Sequence, residues 1–205
     1  MERPDTHEMV VVHRVFRREF RLAAELVREA GADPGRAAVL TGHVLEYLDV
    51  LHHHHAGEDE LLWPPLRHCD CGDPRLFARM EEQHERIAEQ VTKIRALLPT
   101  WPAGALADAL DDLGALIEEH LDEEERYVLP LAADHLSVAQ WNRLGERGLR
   151  SIPRRRRLIV LGAILEDADP EEAAAFLARL PLVPRLLWRL TGPRGYRREI
   201  IRIRA

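Results

Sequence analysis

The stretch HHHHAGEDELLWP at residues 52–64 decides how this chain is read, because a second stretch, EEHLDEEERYVLP at residues 118–130, repeats its skeleton. In both copies a histidine is followed four residues later by a glutamate and six after that by a proline: His54, Glu58, Pro64 and His120, Glu124, Pro130. Residues four apart on an α-helix share a face one turn apart, so each copy aims an imidazole and a carboxylate into one volume. Each copy lies on the second helix of a helical hairpin, and the first helix of each hairpin carries one inward histidine, His13 and His84. The pattern predicts a pseudo-twofold bundle with three candidate ligands per half.

Working outward, the helix punctuation divides the rest of the chain. Asp-Pro pairs at helix starts and Gly or Pro beyond helix ends match the unpaired backbone groups at helix termini. Four long helices are expected: Asp5 to Ala30, Asp33-Pro34 to Arg67 with a bend at Pro64-Pro65, Asp73-Pro74 to the residue before Pro99, and Ala105 to His135. The joints are short, as antiparallel neighbours require. Apolar residues at helical spacing, such as Leu106, Leu110, Leu113, Ile117 and Leu121, give each helix one stripe for a common interior. Abundant Ala, Leu, Glu and Arg, with few aromatics, agree with an all-α class. The expected architecture is an antiparallel up-down four-helix bundle over residues 1–136, followed by an accessory helical extension over 137–205. In the extension, shorter helices are expected at Ser137 to Arg147, Pro153 to Asp167 and Pro170 to Leu180, then two pieces around Trp188 and Tyr196.

Helical angle separates the members of the four-histidine run. His52 points away from His54. His55, three residues before Glu58, could also face inward, but the second copy has Leu121 at the matching place, so the repeat selects His54. The same comparison matches Glu124 to Glu58 and Glu125 to Asp59. His7, His43, His68 and His135 have no partner at ligand spacing and are read as surface or helix-end residues. Burying four imidazoles and two carboxylates without a cation would carry a heavy desolvation cost, so His13, His54, Glu58, His84, His120 and Glu124 are read as metal ligands. Tyr127, three residues after Glu124, is expected beside the site.

Charge is uneven along the chain. The net charge of −6 combines an acidic first part with a tail, residues 137–205, that holds 15 arginines against 7 acids. No nucleic-acid motif accompanies the arginines, and the tail is expected to dock on the acidic bundle or on a second copy rather than on nucleic acid or a membrane. No signal peptide or membrane-length apolar run is visible, which gives a cytoplasmic expectation. Cys69 and Cys71 are expected as free surface thiols, because a bond between them would close almost no loop. A zinc site made of His68, Cys69 and Cys71 would lack a fourth ligand.

Over residues 8–135 these motifs resemble the hemerythrin and HHE cation-binding family. The resemblance implies two iron ions, oxo- or hydroxo-bridged, with manganese or zinc as substitutes in recombinant protein. It further implies His13, His54, His84 and His120 as terminal ligands and Glu58 and Glu124 as bridges. The chain departs from the family's oxygen-carrier pattern twice. The third helix of that pattern supplies His-x3-His, whereas His84 is followed at that spacing by Ala88, and its bridging carboxylate comes five residues after the histidine, which keeps Glu125 as a fallback. Without the extra imidazole both metals would be open. That favours a catalase-like reaction with hydrogen peroxide or related oxidants, the alternative being binding or sensing of dioxygen, nitric oxide or iron without turnover.

Overall fold

In a computed structural model, which describes residues 3–69 and 71–205, the chain is built from helices. Asp33 and Asp73 cap their helices, each carboxylate accepting from backbone N–H groups of the first turn, with proline at the next position. Four long helices, α1 (His7–Ala30), α2 (Pro34–Leu61), α4 (Pro74–Leu97) and α5 (Ala103–Glu123), enclose one interior. α1 packs against α2 and α5, and α4 against the same two, so the four close a ring. Phe16, Phe20, Leu40, Leu48, Leu51, Ile94 and Leu106 fill it with almost no exposure. Among the described residues no helix is long and apolar enough to cross a membrane.

The two repeat motifs end in different irregularities, and each lies just before the motif's proline. After α2 the chain turns at Leu62 and restarts as the short α3 (Trp63–His68). After α5 it widens into a π-helical turn over Glu124–Val128, then resumes as α6 (Leu129–His135). Proline lacks an N–H and crowds the carbonyl four residues back, so Pro64 and Pro130 both disfavour an unbroken α-helix there. The second and fourth helices expected from sequence as continuous are therefore each divided. The Leu129 N–H reaches back five residues to the Glu124 carbonyl, the bond that defines the wide turn.

The tail forms α7 (Val138–Ser151), α8 (Arg157–Glu166), α9 (Pro170–Arg179) and α10 (Leu182–Arg204). Its last helix is one piece where two were expected. Pro193 sits inside it, and Gly192 makes room for the Trp188 indole, which lies where a Cβ would be. The tail packs on the bundle: Ala163 and Ile203 join the main core, while Trp141 and Leu144 join a second core with Met9, Trp63 and Phe77. Its arginines meet bundle acids, with Arg156 on Glu46 at 2.6 Å, Arg147 on Glu60 at 2.6 Å and Arg204 on Glu19 at 3.3 Å. The α10 residues Leu182, Leu186 and Leu190 stay exposed.

Two expectations about polar residues are corrected. His43 is buried, with its Nε2 3.1 Å from the Glu19 carboxylate, because a carboxylate sunk in the core needs a partner. Cys69 and Cys71 are joined as a disulfide rather than free, their Cα atoms 5.1 Å apart within the span such a bond covers.

Candidate metal centre

Four of the six predicted residues, His13, Glu58, His120 and Glu124, have no exposure, and His54 and His84 have little. Their ring nitrogens converge. His13 Nε2 lies 3.2 Å from His54 Nε2, and His84 Nε2 lies 3.2 Å from His120 Nε2. Glu58 reaches both pairs, 2.9 Å from His54 Nε2 and 3.5 Å from His84 Nε2. Glu124 does the same from the other side, 3.4 Å from His13 Nε2 and 3.8 Å from His120 Nε2.

The opposite ring nitrogens are held from behind. His13 Nδ1 donates to Glu125 at 2.9 Å, His84 Nδ1 to Asp59 at 2.9 Å and His120 Nδ1 to the Gln83 amide oxygen at 3.2 Å. These acceptors are themselves anchored: Arg17 donates to Glu125, the Trp63 indole to Asp59, and the Gln83 amide to Glu123. A neutral imidazole that donates from Nδ1 presents a lone pair at Nε2. The facing Nε2 atoms of His84 and His120 then place two lone pairs 3.2 Å apart, an arrangement that a proton or a metal ion between them relieves. Imidazoles oriented through carboxylate or carbonyl acceptors are the usual support of a metal ligand.

Metal-free, the charges at the site are in conflict. Burial drives the His120 pKa down to about 3, reinforced by the neighbouring His84. Burial also opposes charge on His84, but Asp59 and Glu58 outweigh it and raise that imidazole to about 9. Burial and the Glu58 charge push Glu124 well above the usual carboxylate range, while the histidines around Glu58 overcome its burial and hold it well below. Divalent cations would relieve this conflict, and the buried carboxylate oxygens of Glu58 and Glu124, which have no hydrogen-bond donor among the described residues, fit that role.

The donors fall into two groups, in each of which the candidate atoms lie within 4.8 Å of one another: His13, His54, Glu58 and Glu124, and His55, Glu58, His84 and His120. His55 is the member that sequence comparison set aside. It is buried, its Nε2 has no hydrogen-bond partner among the described residues, and its ring stacks on His84. Successive helical residues are about 100° apart, so Glu58 projects between His54 on one side and His55 on the other. His54 thereby turns to His13 on α1, and His55 to His84 and His120 on α4 and α5. Leu121, at the matching place in the other copy, is buried as well, so the repeat keeps the inward position but not the residue type.

Two further expectations change. Ala88 is exposed and does not face the centre; Ile87, one turn beyond His84, is buried in the main core. Tyr127 points outward at 41% exposure with the Arg126 guanidinium over its ring. The i, i+3 relation that would put it beside Glu124 holds for an α-helix and fails across a π turn. Glu124 stands inside the centre and Glu125 behind it. Asp59, Gln83 and Arg17 also escaped sequence reading; the only signal was that each lies next to, or one turn from, a candidate ligand.

In comparisons with known proteins, the family model of the hemerythrin HHE cation binding domain matches residues 5–132. No curated protein and no solved structure matches the chain. With that match spanning most of the chain, and with its two histidine and glutamate groups in one buried volume, the chain belongs to the hemerythrin HHE cation-binding family.

Proposed function

We propose that the chain is a di-iron protein that binds a small ligand, dioxygen or nitric oxide, at one side of an asymmetric centre. The observation that carries this reading is His55. His13 and His54 would offer one ion two imidazoles and His55, His84 and His120 would offer the other three, with Glu58 within reach of both groups and Glu124 beside the first. Mixed imidazole and carboxylate donors in a helical bundle suit iron or manganese better than calcium or magnesium. When bound, iron supplies an open coordination position and one-electron redox change. The side with fewer imidazoles, at His13 and His54, would be the one left open to an exogenous ligand. The Phe16 ring lies 5.0 Å from that of His54 and gives this side an apolar neighbour. Glu125 and Arg17 fix the His13 ring, so this side keeps its shape as ligands come and go.

Catalase-like turnover of hydrogen peroxide is the second reading. It needs two open ions, and a third imidazole from His55 on the side of His84 and His120 would leave only one. The test is to expose iron-loaded, reduced protein to dioxygen and to nitric oxide, and separately to peroxide. A reversible optical change with little oxygen evolution is expected. Rapid oxygen evolution, absent from metal-free protein and from His54→Ala, would replace binding by turnover. Association of two copies through the exposed Leu182, Leu186 and Leu190 of α10 belongs to the same proposal, and sedimentation of the Leu186→Glu variant tests it.

A further inference from the structure

We propose that Cys69, Cys71 and His135 form a second cation site, separate from the centre in the bundle, that takes a thiophilic divalent ion of the zinc class. Cys69 follows α3, Cys71 lies in the loop before α4, and His135 ends α6, yet their candidate donor atoms all lie within 4.8 Å of one another. Sequence reading looked for the imidazole next door, at His68. That ring is turned the other way, with Nδ1 donating to the Pro64 carbonyl at 3.0 Å.

Local packing brings the distant histidine within reach. A Cβ at Gly72 would stand 2.9 Å from the Phe77 ring and 3.1 Å from the Leu131 side chain, so glycine lets this loop lie close to α6 without displacing either. Cys71 packs on the same core as Leu66 and Leu131. Both sulfurs turn to one side, 3.2 and 3.3 Å from the Leu66 carbonyl oxygen. As a disulfide the pair closes a minimal loop and removes little entropy from the unfolded chain. As two thiolates it becomes a chelate, to which His135 adds a third donor from another helix. Two sulfurs and one imidazole complete three corners of a tetrahedron and leave the fourth to water, and sulfur selects zinc over magnesium or calcium. The bundle centre offers no sulfur, so the two sites sort different metals.

The experiment titrates the full-length, iron-loaded and thiol-reduced protein with cobalt(II) as a probe for zinc. A thiolate-to-cobalt charge-transfer band at one equivalent per chain, displaced by zinc, is the expected result. The band should vanish in Cys71→Ser, and the affinity should fall about tenfold or more in His135→Ala. Iron content should be unchanged in both variants, whose altered side chains lie outside the bundle core. Absence of the band in reduced protein, an unchanged affinity in His135→Ala, or a cysteine pair that stays oxidised in excess thiol would each overturn the proposal.

Discussion

The imidazoles of His55 and His84 stack face to face, their centroids 4.1 Å apart and their planes 13° from parallel. Stacked rings from α2 and α4 deliver nitrogens to one point without competing for space. His55→Ala should therefore lower iron content from two ions towards one per chain and change the optical spectrum. His52→Ala, at an exposed position on the same helix, should do neither. Metal analysis of the two variants side by side decides the matter: equal iron content would remove His55 from the ligand set.

Adjacent acids at 124 and 125 should behave differently. Glu124→Ala removes a carboxylate that faces both histidine pairs, and loss of the two-metal centre is expected. Glu125→Gln keeps an acceptor for His13 Nδ1 but removes the charge that Arg17 anchors. Both ions should remain, with affinity lowered about 10- to 100-fold. If the iron content responds in the reverse order, the roles of the two residues are exchanged.

A methyl group at Gly162 would overlap the ring of Tyr196, where α8 meets α10. Gly162→Ala should destabilise the chain by about 1–3 kcal/mol through overpacking, measured by denaturant unfolding. Tyr196→Ala should relieve most of that cost in the double variant, though it also removes the hydroxyl that donates to Glu166 at 2.5 Å. Additive losses in the cycle would show that the contact is not the cause.

The tail is also latched by Glu172 on α9. Paired N–H groups of Arg14 at 2.7 and 2.9 Å, the Asp169 backbone N–H and His7 hold its pKa down to about 2. The folded chain thus keeps this carboxylate ionised at lower pH than the unfolded chain, whose value is near ~4.3. Its contribution is fully present above that range and disappears as pH falls through about 2. Metal-free wild type should melt on the order of 2 °C above Glu172→Gln at neutral pH, and the gap should narrow steadily below about pH 4. A gap that persists in acid would assign the effect to packing instead.

Much of the fold was legible because helix signals are local: Asp33 and Asp73 cap, Gly31 ends α1, and apolar spacing marks the inner faces. The six residues read as ligands are brought into one volume for the same reason, since a four-residue spacing on a helix is geometry already. What failed was reasoning that carried one repeat copy onto the other. His55 was discarded for matching Leu121, and Tyr127 was placed by α-helical spacing across a turn that is not α. Tyr127 turned outward because the π turn before Pro130 breaks α-helical spacing, whereas His55 and Leu121 are both buried in regular helix and differ only in residue type. His43 and His135 were invisible for a related reason, as their partners lie on other helices.

Each imidazole held from behind takes its acceptor from a different helix: His13 from the turn after α5, His84 from α2, and His120 from α4. The orientation of the cage and the packing of the helices therefore rest on the same contacts. A change that loosens one is expected to loosen the other, so loss of a single buttress should register in the stability of the bundle as well as in its affinity for metal.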